Sequence, residues 1–119
     1  MIFNLSKLKV SDNSGVKQVK CFKIFSKKTG SIGSIIYVSI KDVKSKSKLK
    51  KGDITKGIVI RNKKLLDRQT GNHISFDFNE LVLLNEKYEL LGTRVFGPLP
   101  SELRKKGQLK LLSVASTLI

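Results

Sequence analysis

At 119 residues the chain has the size of one ordinary domain and can bury a single core, but little more. An apolar fraction of 39% and a mean hydropathy of −0.12 exclude a disordered tail, and no apolar run reaches the roughly 20 residues of a membrane-spanning helix. A formal charge of +15 self-repels and calls for an acidic partner.

Met1 to Leu5 is too short and too poorly charged for a signal peptide, and it lacks the long Arg- and Ser-rich character of a transit peptide. A chain without a leader is therefore expected. Leu8-Lys9-Val10 is a short alternating strand, and Asp12-Asn13-Ser14-Gly15 is a turn. A second strand runs from Val16 to Phe25, with Val19 and Cys21 on one face and Phe25 the next candidate. Gly30 and Gly33 flank a turn region. Ile35 to Val43 is β-rich, with Ile36, Val38 and Ile40 on one face. Lys44 to Lys51 is a basic loop closed by Lys51-Gly52-Asp53.

Ile54 to Arg61 is a further strand, with Ile58 and Ile60 on one side. Asn62 to Asn72 reads as the tip of a ribbon that Ile74-Ser75-Phe76 continues, and Leu81 to Leu84 is a short buried strand. Gly92 to Pro100 is irregular. Ser101 caps a short helix after Pro100; Glu102 suits its positive end, and Arg104, Lys105 and Lys106 suit its negative end before Gly107. Leu109 to Val114 is expected to return to strand, and Val114 to Ile119 to make a last helical turn. Many short strands between close turn signals predict a mainly β fold. A small closed barrel is favoured, because closure removes sheet edges. With no repeat and no linker, residues 1–119 are expected to form one domain.

The charge is uneven. Residues 1–64 carry 17 Lys/Arg against Asp12, Asp42 and Asp53, whereas residues 65–119 carry seven against six acids. Twenty cations are Lys and four are Arg, which favours contact with phosphates over reading of base edges. Lys44 to Lys51 holds five Lys in eight residues. If extended, Lys44, Lys46, Lys48 and Lys50 share one side at a spacing of roughly 7 Å, with Lys51 beside them, a comb for phosphates. The plainer reading is a solvated loop or a localisation signal. Lys56, Arg61, Lys63, Lys64 and Arg68 form a second basic edge along the ribbon, suited to a groove of RNA; its plain alternative is a soluble hairpin.

Thr93-Arg94, between Gly92 and Gly97, suits either a specific contact or a surface clip. His73, the sole histidine, has no ligand-spaced partners and reads as structural. Cys21 is alone, so no internal disulfide is possible; it reads as a small buried hydrophobe in a reducing compartment. Asp12, Asp77 and Glu80 are the carboxylates near turns, and nothing in the sequence pairs them. No nucleophile elbow, phosphate-binding loop or zinc spacing is present, so neither an enzyme nor a cofactor is expected. A free single-stranded nucleic-acid binder would need aromatic platforms, and several of the six Phe and two Tyr stand at core-like positions. Residues with AT-rich codons dominate: Phe, Tyr, Met, Ile, Asn and Lys total 46 against 16 for Gly, Ala, Arg and Pro.

Lys9-Val10-Ser11-Asp12-Asn13-Ser14-Gly15 resembles the opening strand and turn of the large-subunit ribosomal protein fourteen family, which usually has Ala where Ser11 stands. Lys50-Lys51-Gly52-Asp53 and Gly57-Ile58-Val59-Ile60-Arg61-Asn62-Lys63-Lys64 resemble its central strand and ribbon. Gly71, Phe76, Asn79, Val82 and Leu83 fall at its signature spacing. Gly92-Thr93-Arg94-Val95-Phe96-Gly97-Pro98, Glu102-Leu103-Arg104, Lys110 and Ser113 are similar to its C-terminal segment.

The resemblance spans almost the whole chain, and it implies a five-stranded β-barrel with a projecting β-ribbon and one or two short C-terminal helices. It implies a structural constituent of the large ribosomal subunit, binding large-subunit rRNA near the factor-binding side and helping to bridge to small-subunit rRNA. The implied neighbours are large-subunit proteins three and nineteen, and a ribosome silencing factor docking on the C-terminal face. Thr93, Arg94, Arg104 and Lys110 are the implied intersubunit or protein contacts.

The sequence departs from the pattern in a shorter stretch between Cys21 and Ile32 that lacks a paired Arg, in Asp67 and Thr70 at the ribbon tip, and in Ser116-Thr117. With the AT-rich coding, these departures point to an organelle-encoded, mitochondrial member. A low-GC bacterium or a plastid is the alternative source.

Overall fold

A computed structural model describes residues 2, 6–24, 32–44, 49–68, 70–105, 111, 113, 114 and 119. The strands are β1 (Lys7–Val10), β2 (Val16–Ile24), β3 (Ile35–Val43), β4 (Ile54–Arg61), β5 (Leu66–Asp67), β6 (His73–Ile74) and β7 (Glu80–Leu84), followed by the helix α1 (Glu102–Lys105). Five of the strands close a barrel in the order β1-β2-β3-β4-β7, and β5 and β6 form the two-stranded ribbon between β4 and β7. The barrel and ribbon agree with the expected mainly β fold.

Neighbouring barrel strands are antiparallel, except at the closing seam. There β1 runs parallel to β7, with Lys9 opposite Glu80 and Val10 opposite Leu81. Closure needs strong local twist, and β2 supplies it through register shifts against β3 at Val16/Gln18, Gln18/Val19 and Cys21/Lys23.

The period-2 alternation of each strand sets the core. Leu8, Val19, Cys21, Ile36, Val38, Ile40, Val59, Leu81 and Leu83 fill the barrel, each no more than 2% exposed. Each such Leu or Ile contributes about 2 kcal/mol by leaving water. β4 and β7 are buried on both faces. Their alternate residues Ile58, Ile60, Val82 and Leu84 point outward into a second cluster with Ile32, Val95, Leu99, Leu103 and Leu111. This two-sided burial explains why Leu81-Val82-Leu83-Leu84 is a continuous apolar run instead of an alternating one.

The C-terminal segment thus covers the outside of β4 and β7. It is tied down by bonds from Ile119 N to Leu99 O (2.9 Å) and from Ser101 N to Ile119 O (2.9 Å).

One expected strand is corrected. Leu111 and Ser113 are helical, and Val114 N donates to Leu111 O at 3.3 Å. Leu111 and Val114, three residues apart, both pack on the second cluster, a helical spacing that a short apolar run conceals. Phe25, Gly30, Lys106 and Gly107 lie outside the described residues, as does most of the expected last turn.

Candidate nucleic-acid interface

The outer face of β1 to β3 is the basic surface. Lys7 and Lys9 flank buried Leu8 and are exposed; Lys7 stands opposite Lys20 on β2, and Lys9 opposite Gln18. Lys17, Lys23 and Lys41 are exposed on the same strands. Like charges directly across an antiparallel pair repel, so this face is more stable with a polyanion against it. Lys7, Lys9 and Lys20 did not stand out in the sequence. The alternation around Leu8 announces an outward Lys pair, but the opposition to Lys20 depends on strand register.

The lysine-rich loop is pinned at both ends. Lys44 N donates to Gly15 O (2.8 Å), and Leu49 packs against the barrel core. At the far end Lys50 N donates to Asp53 Oδ2 (3.0 Å) and Gly52 N to Ile40 O (2.8 Å). Lys44, Lys50 and Lys51 are exposed, whereas Lys46 and Lys48 lie outside the described residues.

The predicted ribbon edge divides. Lys63 and Lys64 are exposed at the ribbon's base, where Lys63 N donates to Asn79 Oδ1 (2.9 Å). Lys56 is half-buried, with its ammonium 4.1 Å from the Tyr88 ring centre and 5.7 Å from that of Tyr37. A hydrogen bond with Tyr88 holds its pKa above the usual lysine value.

Arg61 must be reassigned. Its side chain is only 7% exposed; Nε pairs with Glu80, Nη1 donates to Pro98 O (2.8 Å) and Nη2 to Phe96 O (2.8 Å). A guanidinium so engaged is an internal clamp and not a phosphate contact. Arg68 also reaches inward, donating to both carboxylate oxygens of Glu102 (2.6 and 3.1 Å) and to Ile119 O (2.7 Å). It ties the ribbon tip to the C-terminal segment. At the same tip His73 Nδ1 lies 2.5 Å from Asp67 Oδ1, both side chains being largely exposed.

The 92–97 loop is seated on the 11–15 turn. Asn13 Oδ1 accepts from Thr93 N (2.8 Å) and Arg94 N (3.2 Å), and Asn13 Nδ2 donates to Thr93 Oγ1 (2.8 Å). Asp12 is buried, accepting from Ser14 N (3.1 Å), Ser14 Oγ (2.5 Å) and Leu83 N (3.1 Å). Asp12 and Glu80 are therefore committed to internal bonds. Gly97 has φ +81, and a Cβ there would stand 2.5 Å from Arg61 Nη1, so the clamp requires glycine. Thr93 and Arg94 are presented on an exposed, well-anchored loop, with the Arg94 guanidinium 5.7 Å from the Phe96 ring centre. The Arg104 side chain and Lys110 lie outside the described residues.

The placement of the aromatics is a second correction. Phe22, Phe78, Tyr88 and Phe96 are exposed, and Tyr37 and Phe76 are half-buried; no described aromatic belongs to the buried core, which Ile, Leu and Val fill. Phe22 stacks with Tyr37 at 6.0 Å between ring centres. Several of these rings carry a cation: Lys9 lies over Phe78 at 3.4 Å, Lys56 over Tyr88, and Arg94 near Phe96.

Cys21 is buried in the barrel, and burial pushes its thiol pKa up. The family model described as ribosomal protein L14p/L23e matches residues 1–119.

Proposed function

The chain belongs to the ribosomal protein L14p/L23e family, a structural constituent of the large ribosomal subunit, and from that premise we propose that it binds large-subunit rRNA through its basic half. The observation that carries this reading is the lysine-covered face of β1 to β3, with Lys7 against Lys20, continued by the pinned loop that presents Lys44, Lys50 and Lys51. Lysines displace condensed counterions from the rRNA, so that segments which would repel can pack around a rigid barrel. Lys46, Lys48, Lys63 and Lys64 belong to the same contact by position in the chain.

The 92–97 loop meets the small subunit or a protein, with Thr93 and Arg94 as the contact pair, and the family resemblance adds Arg104 and Lys110 to this contact. A bridge to small-subunit rRNA, large-subunit proteins three and nineteen as neighbours, and a docking ribosome silencing factor complete this reading on the strength of the family resemblance. The AT-rich coding favours a mitochondrial ribosome, with a low-GC bacterium or plastid as the other source. Residues 1–119 act as one domain.

The test is the salt dependence of binding to a matching rRNA fragment. Replacing Lys44, Lys50 and Lys51 with Gln lowers the slope of log affinity against log salt by about 2.7, and less on single-stranded RNA. An unchanged slope removes the loop from the contact. Co-sedimentation with large subunits through a high-salt wash tests incorporation, and release into the light fractions argues for peripheral binding.

A further inference from the structure

We infer that the cleft between β1 and the turn before β7 is a nucleotide site, in which Phe78 stacks an unpaired RNA base while Lys7, Lys9 and Lys63 hold its phosphates. This deepens the reading of the chain as an rRNA-binding protein and rests on it. The cleft has a volume of about 220 Å³, with Lys7, Lys9, Gln18, Lys63, Asp77 and Phe78 on its walls.

Three observations converge there. First, Phe78 is 50% exposed on the turn before β7, so an aromatic face is open to a partner beside the cleft. Second, the Lys9 ammonium sits 3.4 Å from its ring centre. That cation takes one face of a ring whose residue is half exposed, and a base stacked on the other would be attracted by the polarised π system. Third, the walls are mixed. Lys7, Lys9 and Lys63 supply positive charge, while Gln18 and Asp77 supply a donor and acceptors. Phosphate alone needs only the lysines; a base edge needs polar groups of both kinds beside an aromatic platform.

The site is also held in place. Lys9 N donates to Asn79 O (3.1 Å), and Lys63 N donates to Asn79 Oδ1 (2.9 Å), so Asn79 locks β1, the ribbon base and the Phe78 turn into one unit. A platform fixed in this way loses little freedom when a base stacks on it.

The sequence gives no warning of this cleft. Its residues come from β1, β2, the ribbon base and the 77–79 turn, and only barrel closure through the β1–β7 seam brings them together.

The experiment uses the full chain and a short single-stranded oligoribonucleotide carrying a fluorescent adenine analogue whose emission is quenched by stacking. The wild-type chain quenches it. Phe78→Leu abolishes the quench and weakens binding by about tenfold or more without changing the salt slope, whereas Phe78→Tyr retains both. Lys7→Gln with Lys63→Gln lowers the slope by about 1.4. Thermal unfolding of the Phe78 variants stays close to the wild type, since Phe78 is exposed, and that of the lysine variant is compared at high salt, where the Lys7–Lys20 repulsion is screened. If Phe78→Leu binds and quenches like the wild type, the stacking site is wrong while rRNA binding stands. If the wild-type chain binds neither the oligonucleotide nor the rRNA fragment, the underlying reading falls and takes this site with it.

Discussion

The outer face of β1 to β3 and the clamp beneath the 92–97 loop use cations in opposite ways. On the first, Lys7 and Lys20 stand opposite one another at the surface. In the second, Arg61 is buried and gives its three donor nitrogens to Glu80, Phe96 O and Pro98 O. The difference follows from the side chains. A planar guanidinium can satisfy several acceptors at fixed angles and so tolerate burial, whereas an ammonium on a flexible stem keeps its hydration until a phosphate replaces it. Arg68, bridging the ribbon tip to Glu102 and Ile119, follows the Arg61 pattern with more exposure. The number of cations therefore overstates the binding surface: two of the four arginines are fasteners.

The sharpest break of this comparison is at Arg61. Arg61→Met leaves Glu80 without its partner and two carbonyls without donors, and it costs about 3–5 kcal/mol in denaturant-induced unfolding. A surface exchange such as Lys64→Gln stays within about 0.5 kcal/mol. Equal, small effects would return Arg61 to the surface set. Next in size is Asp12→Ala, which strips acceptors from Leu83 N and Ser14 N and loosens the seat of the 92–97 loop; a loss of about 2 kcal/mol is expected by the same measurement.

Arg68→Ala removes a pair whose side chains are 23% and 22% exposed, so solvent screening limits the cost to about 1 kcal/mol. Faster hydrogen exchange at Ser101 and Ile119 is the local sign to look for. The smallest effect has the opposite sign: Lys20→Gln relieves the repulsion with Lys7 and raises stability by about 0.3 kcal/mol at low salt, a gain that vanishes in high salt.

Much of this fold was legible in the residues. The bounds of β3 and β4 follow from their β-branched runs, and the inward set Ile36, Val38 and Ile40 follows from alternation alone. Arg61 was not legible. A register shift between Val59 and Arg61 against β7 re-aims the strand end and sets Arg61 opposite Glu80, and a bulge leaves no mark in a hydrophobic pattern. Likewise the Leu109–Val114 run fits strand and helix equally well until the outer face of β4 and β7 is there to select Leu111 and Val114.

Within the candidate interface, the comb from Lys44 to Lys51 could be read directly from composition. The cleft around Phe78 could not, because its lysines are scattered through the chain and its aromatic resembles a core residue until the core proves to be aliphatic.

The parallel seam between β1 and β7 has a consequence for synthesis. The strands that carry most of the charge leave the translating ribosome first, yet the barrel cannot close until Glu80 to Leu84 have followed. Until then β1 and β4 are open edges beside an uncovered aliphatic face, and long-range pairing of this kind forms slowly. The nascent chain is thus at its stickiest while its charge per residue is higher than that of the finished protein. An early encounter with RNA would neutralise its charge while the last strand is still being made.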